Sequence, residues 1–275
     1  MRVYADNAAT TQISESALQA MMPAFREHYG NPSSLHPLGQ NQNEILQDAR
    51  ARVAKCLGCE PREIYFTSGG SEADNQAIRS AAFYGAKKGK KHIISTAFEH
   101  HAVLHTLDAL KKDGFEVTLL EVDSEGLITP EQLEKAIRPD TILVAMMYAN
   151  NEIGTILPIK ELAEVAHAHK VPFFTDAVQA VGNIPINVND LGVDMLSLSA
   201  HKFHGPKGVG VLYLRKGIPA YRLIEGGAQE RNRRAGTENV PGIMGLAAAL
   251  EDACAHLDEN AAKVTALRDR LIQGL

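Results

Sequence analysis

The chain has three cysteines in 275 residues, too few for a disulfide framework. Cys56 and Cys59 form a lone C-x-x-C with no second pair to complete a zinc site, and no metal is expected. Cys254 falls on an apolar helical repeat, where a buried structural thiol is expected. There is no apolar run of membrane-spanning length, so no membrane partner is expected. There is no basic excess either. Net charge is −5, which lacks the footprint of a nucleic-acid binder. Met1-Arg2-Val3-Tyr4-Ala5-Asp6 lacks the apolar core of a secretory leader. Internal repeats, low-complexity runs and obvious linkers are also missing. These absences point to a cytoplasmic enzyme. At 45% hydrophobic and 22% charged, the chain can bury one large core.

What is present is alternation. After an extended arm at Tyr4–Gln12, a helix is expected over Ser14–His28, with Leu18, Met21, Met22 and Phe25 on one face. Residues 31–39 read as a loop. A second helix carries Leu46, Ala49, Val53 and Leu57 and ends at Gly58. Strands follow at 64–67, 92–96, 117–122, 142–148, 171–175, 194–199 and 209–214. Helices at 72–87, 102–112, 130–137 and 158–169 lie among them. Such βαβ units imply a mostly parallel sheet covered on both faces, an α/β fold. Ligands then bind beyond the carboxyl ends of the strands. From Val240 the chain is helical, with a break near His256-Leu257-Asp258. The last helix carries Val264, Leu267 and Leu271 on a face that needs a partner.

Three strand ends carry chemistry. Ser197-Leu198-Ser199-Ala200-His201-Lys202 delivers a lysine from a buried strand. Partial desolvation there favours the nucleophilic amine and suits a Schiff-base lysine, with Ser199 and His201 as phosphate ligands beside it. Thr67-Ser68-Gly69-Gly70-Ser71-Glu72 joins a strand to a helix. Its small residues and the free N–H groups of the helix start suit an anion. Thr175-Asp176-Ala177-Val178-Gln179 ends an apolar strand with a carboxylate that must be paired, and a protonated pyridine nitrogen is one natural partner. Each has a plainer reading: a surface lysine, an ordinary capped turn, a helix-capping aspartate. Together they compose a three-part pyridoxal phosphate site. Glu99-His100-His101 and Asn150-Asn151-Glu152 each follow a strand. His100 can stack on a ring or move a proton, and Asn151 can contact a ring hydroxyl or a substrate carboxylate.

The sequence resembles the cysteine desulfurases of the NifS/IscS type, in the class V aminotransferase group. The resemblance runs in order through YADNAATT at 4–11, NPSS at 31–34, TSGGSEADN at 67–75, EHHAV at 99–103 and NNEIG at 150–154. It continues through DAVQ at 176–179, SAHKFHGPKG at 199–208, GGAQE at 226–230 and RAGTEN at 234–239. It implies a three-layer αβα pyridoxal-phosphate transferase domain over 14–257. An N-terminal arm over 1–13 would pack with a small domain, of which 258–275 would be the start. Lys202 would carry the cofactor covalently and Asp176 would hold the pyridine nitrogen protonated. Gln179 would bond the ring hydroxyl, and Asn151 would lie near that oxygen and the substrate. His100 would stack on the ring and transfer protons. Gly70, Ser71, Ser199 and His201 would bind the phosphate, and Thr237 would reach the phosphate of the neighbouring subunit in a homodimer.

The implied reaction converts L-cysteine to L-alanine and passes sulfur, as an enzyme persulfide, to an acceptor protein of iron–sulfur assembly or thiolation. In the family the persulfide-forming cysteine and a substrate-carboxylate arginine lie in a C-terminal region that this sequence does not contain. Cys56, Cys59 and Cys254 do not match that cysteine, so sulfur transfer by these 275 residues alone is not expected. A selenocysteine lyase or another class V enzyme is one alternative. A non-catalytic, dimeric cofactor-binding scaffold is another.

Overall fold

The computed structural model describes residues 3–275. Ten helices are present among them: α1 (Glu15–Arg26), α2 (Pro37–Leu57), α3 (Gly70–Ala86), α4 (His101–Lys112), α5 (Pro130–Ala136), α6 (Ile159–Ala168), α7 (Val188–Leu191), α8 (Gln229–Asn232), α9 (Val240–Ala255) and α10 (Leu257–Gly274). The seven strands are β1 (Ile64–Thr67), β2 (His92–Thr96), β3 (Glu116–Leu120), β4 (Thr141–Ala145), β5 (Phe173–Asp176), β6 (Met195–Ser199) and β7 (Gly210–Leu214). They form one sheet in the order β1-β7-β6-β5-β4-β2-β3. β7 pairs antiparallel with both β1 and β6, and the remaining pairs are parallel. The strands other than β7 therefore end on one edge of the sheet, the mostly parallel arrangement expected.

Side-chain alternation along the strands splits the core into two layers. Leu196, Leu198, Val211 and Tyr213 pack with residues of α2, α6 and α9 on one face. Met195, Leu212 and Leu214 pack with Ala73, Ala77 and Ile78 of α3 and Val103, Leu107 and Leu110 of α4 on the other. The result is helix, sheet, helix.

Three local expectations change. The segment 31–39 is not all loop, because Pro37 opens α2 at a position where its missing N–H costs nothing. β4 stops at Ala145, although Met146 and Tyr148 still donate to Phe174 O and Asp176 O. The buried side of α1 is not the large apolar one. Ala17 and Ala24 are buried, while Leu18, Met22 and Phe25 are exposed. The reason lies in α9, which packs on α1. A Cβ at Gly245 would meet Met21 Cγ at 2.7 Å, so the glycine makes room for Met21, the one large residue of that face set against α9. Val264, Leu267 and Leu271 of α10 are likewise exposed.

The segment after β7 holds an unusual turn. Glu230, Arg231 and Asn232 all have positive φ, at 45°, 55° and 62°. Left-handed backbone costs each such residue roughly 1–2 kcal/mol. A buried ion pair holds it in place. Arg50 of α2 grips Glu230 through both guanidinium nitrogens at 2.6 and 2.8 Å and donates to Ile64 O at 2.7 Å. Phe66 N–H donates to Glu230 Oε2 at 2.9 Å.

Candidate active site

Five of the parallel strands deliver the site. A cavity of about 530 Å³ opens at their carboxyl edge. Gly70 and Ser71 reach it after β1, His100 after β2 and Asn151 after β4, while Asp176 ends β5 and Ser199, His201 and Lys202 follow from β6. Gln179 lines it as well. Thr237 does not. It is exposed, in the loop between α8 and α9.

Desolvation sets the chemistry of the floor. Asp176 is buried and its Oδ1 accepts Val178 N–H at 2.9 Å. Burial raises its carboxyl above the ordinary range, against the opposing pull of that N–H, His100 and Lys202. Lys202 follows β6 in one turn of 3-10 helix. Burial lowers its ammonium below the usual lysine value, which enlarges the nucleophilic fraction. Its Nζ donates to Ala8 O and Ala9 O of the N-terminal arm. Gln179 Nε2 donates to Ala8 O at 2.9 Å, so the arm covers both side chains. Thr11 N–H and Oγ1 both donate to His201 O at 2.9 Å, and His204 N–H donates back to Thr11 Oγ1 at 2.8 Å.

The anion cup is built from small residues. Gly69 precedes α3 at φ 152°, and the helix start has no side-chain cap, so its free N–H groups are available to a ligand. A Cβ at Gly70 would meet Val178 Cγ2 at 2.7 Å. A Cβ on Gly210 of β7 would strike Gly69 Cα at 2.7 Å, so that glycine lets the cup sit on the sheet. Burial lowers the His201 imidazole, and Lys202 and Lys207 lower it further. His100 caps α4, its Nδ1 accepting Ala102 N–H at 3.1 Å, which leaves Nε2 as the other nitrogen available for a proton. Asn151 Nδ2 donates to Glu152 Oε1 at 2.7 Å.

The donor set fits pyridoxal phosphate: an uncapped helix start with hydroxyls for a phosphate, a buried carboxylate for a cationic ring nitrogen, and an amine on the same cavity for a carbonyl.

Sequence reasoning missed two carboxyls under this site. Asp74 of α3 is 1% exposed and lines the cavity. Its signal was periodicity, because Gly70, Ala73, Asp74, Ala77 and Ile78 share the buried face of α3. Glu99 is buried, with Oε1 accepting from Thr96 Oγ1 at 2.5 Å and Met147 N–H at 2.9 Å. Burial pushes it up to about 8.

Comparison with known proteins agrees with this geometry. The aminotransferase class-V family matches residues 3–275. Cysteine desulfurase IscS of Methanosarcina thermophila is 54% identical over 99% of this chain and 67% of its own length. A solved NifS-like protein superposes with a TM-score of 0.97 at 46% identity, over 100% of this chain and 75% of that one. A structure of SspA in complex with cysteine gives 0.88 at 42% identity, over 91% and 72%. The chain belongs to the class-V aminotransferases, among the cysteine desulfurases of the IscS and NifS kind.

Proposed function

We propose that this protein is a pyridoxal-phosphate-dependent cysteine desulfurase, taking L-cysteine to L-alanine and releasing sulfur to a thiol. The observation that carries the reading is Lys202, its ammonium destabilised by burial, facing the cavity that Asp176 floors. Bound there, pyridoxal phosphate supplies an electron sink for charge developing at the substrate α-carbon. This chain's residues do the rest. Ser71, Ser199, His201 and the start of α3 hold the phosphate. Asp176 holds the positive ring nitrogen. Lys202 would attach the cofactor and move the α-proton, and His100 would lie against the ring and offer Nε2 for proton transfer. Asn151 and Gln179 orient ring and substrate. None of Cys56, Cys59 and Cys254 lines the cavity, so the thiol that takes the sulfur comes from outside these residues.

Loading with pyridoxal phosphate, reduction with borohydride and peptide mapping should place the label on Lys202. Because the free amine reacts and burial lowers the Lys202 ammonium, labelling should rise with pH and level off below the titration range of surface lysines. Label on Lys207 would overturn the assignment.

The reading extends to a cytoplasmic homodimer passing sulfur to an acceptor protein of iron–sulfur assembly or thiolation. Free cysteines are consistent with a reducing compartment. Thr237 is exposed and does not line its own cavity, which leaves it free to meet a neighbour's phosphate. Tyr29 and Leu35, 70% and 90% exposed, offer apolar surface for a second copy. Light scattering should give twice the chain mass, with Thr237→Val weakening cofactor binding. A monomer with full cofactor affinity would remove Thr237 from the site.

A further inference from the structure

α4 carries two histidines that the site above does not use. His101 and His105 stand four residues apart on it, the spacing that puts two side chains on one helix face with Cβ atoms about 5–6 Å apart. The other face is fixed. Val103, Leu107 and Leu110 are buried in the core layer of α3 and α4, which holds both histidines outward and exposed. Their rings stack, with centroids 5.0 Å apart and planes 25° from parallel.

Neither ring is committed elsewhere. His92, by contrast, spends one nitrogen on Thr141 Oγ1 at 2.8 Å and the other on Thr118 Oγ1 at 2.9 Å. Among the described residues no hydrogen bond engages a ring nitrogen of His101 or His105. The next acid along the helix, Asp108, is paired with Lys111 at 3.0 Å. The two rings line an open cleft of about 350 Å³ between α3 and α4, together with Arg79. Ser71 and His100 line both this cleft and the larger cavity.

Two uncommitted imidazoles at i and i+4 of a rigid helix can chelate. The same spacing holds zinc in the H-E-x-x-H helix. Ala102 stands where that motif has its glutamate, so His101 to His105 offers binding without that motif's general base. We propose that His101 and His105 bind a late first-row divalent ion of the class of Zn²⁺, Ni²⁺ and Cu²⁺. Each ring turns about its own torsions to aim one nitrogen at the ion, and the helix stays where it is. Ligand chemistry sets the class, because imidazole suits these ions whereas Mg²⁺ and Ca²⁺ take oxygen. Arg79 in the same cleft repels any cation, which only a strong nitrogen-binding ion offsets. Among the described residues no group of three or more His, Cys, Asp or Glu could hold a metal. Water therefore fills the remaining positions and the site stays open. The ion stands at the rim of the larger cavity, near His100, whose ring centroid is 6.1 Å from that of His101.

The test uses the untagged chain without cofactor. One equivalent of Zn²⁺, followed by ¹⁵N NMR of the imidazoles, should shift a nitrogen of His101 and one of His105 together. Mg²⁺ should shift neither. His105→Ala should weaken zinc binding by more than the roughly 10–100-fold that losing an outer-shell partner costs. His105→Cys should restore it, because a thiolate is also a zinc ligand. The side chain is exposed, so neither change threatens the fold. Unweakened binding in His105→Ala, zinc shifts confined to other residues, or equal shifts with Mg²⁺ would overturn the proposal. So would inorganic phosphate that shifts both rings, loses that effect in Arg79→Gln and finds no counterpart with zinc, since the cleft would then be an anion site.

A second readout rests on the functional reading above. In the protein loaded with pyridoxal phosphate, zinc should slow exchange of an amino acid's α-proton with D₂O, and should not do so in His105→Ala at the same concentration. Slowing that persists in His105→Ala would place the inhibiting ion elsewhere. A chain that binds zinc at both rings but takes up no pyridoxal phosphate would fail the functional reading and keep this site.

Discussion

Glu230→Ala is expected to lower folding stability by about 3–5 kcal/mol, the usual result of removing one partner of a buried ion pair. Arg50 would keep its charge with its side chain only 3% exposed, left with Ile64 O, a long bond to Gln47 Oε1 at 3.3 Å and the face of Phe66, 4.7 Å from the guanidinium carbon. Phe66 N–H would lose its acceptor as well. The left-handed turn at 230–232 would lose its anchor, so the loop to Thr237 should loosen together with the core. Denaturant midpoints measure the first effect, and proteolysis within 231–239 reads the second. The double substitution Arg50→Met, Glu230→Leu should recover most of the loss, because it removes both charges at once. A loss below about 1 kcal/mol, a value typical of exposed pairs, would show that water reaches the pair.

Asp176→Ala should lower turnover on the order of 10²–10³-fold, the scale seen when one preorganised electrostatic contact is deleted. The direct measurement is exchange of the α-proton of an amino acid with D₂O, followed by NMR at equal cofactor occupancy. That readout tests the ring nitrogen without needing a sulfur-accepting thiol. The absorption of bound cofactor should change as its nitrogen loses the proton. The cofactor-free protein should respond in the opposite sense. Burial raises the Asp176 carboxyl, so the folded state binds the excess proton and stability falls as pH rises. Asp176→Ala should therefore stabilise the empty protein near pH 8 and have less effect near pH 4. Undiminished exchange with an unchanged spectrum would remove Asp176 from the role.

Strands and strand ends were readable in the sequence because their signals are local. Apolar runs bounded by glycine and polar turns gave the β1 and β2 bounds, and the Gly/Pro turn after Lys202 marked the edge where ligands bind. Gly70, Ser71, His100, Asn151, Asp176, Gln179, Ser199, His201 and Lys202 meet at one cavity because parallel strands share one edge. What stayed hidden depends on distant partners. Leu18, Met22 and Phe25 make the more apolar stripe of α1, yet the packing of α1 on α9 buries Ala17 and Ala24 and sets Met21 against Gly245. Asp74 reads as one acid in a polar helix start, and only the packing of α3 on β6 shows it buried against Ser197. Nothing in Glu230-Arg231-Asn232 asks for left-handed backbone. Arg50, 180 residues earlier, holds it there. The contact of the arm with Lys202 likewise joins positions 193 and 194 apart.

That last separation has a temporal meaning. The arm leaves the ribosome before its docking strip, because the carbonyl it binds, His201 O, lies 190 residues later. At a synthesis rate of roughly 5–20 residues per second, residues 8–11 wait on the order of 10–40 seconds before their docking strip exists. The lysine-bearing turn, once made, meets an arm that is already present. Closure over Lys202 is therefore a late step of maturation, open to competition from any chaperone or cofactor that reaches the strip before the arm does.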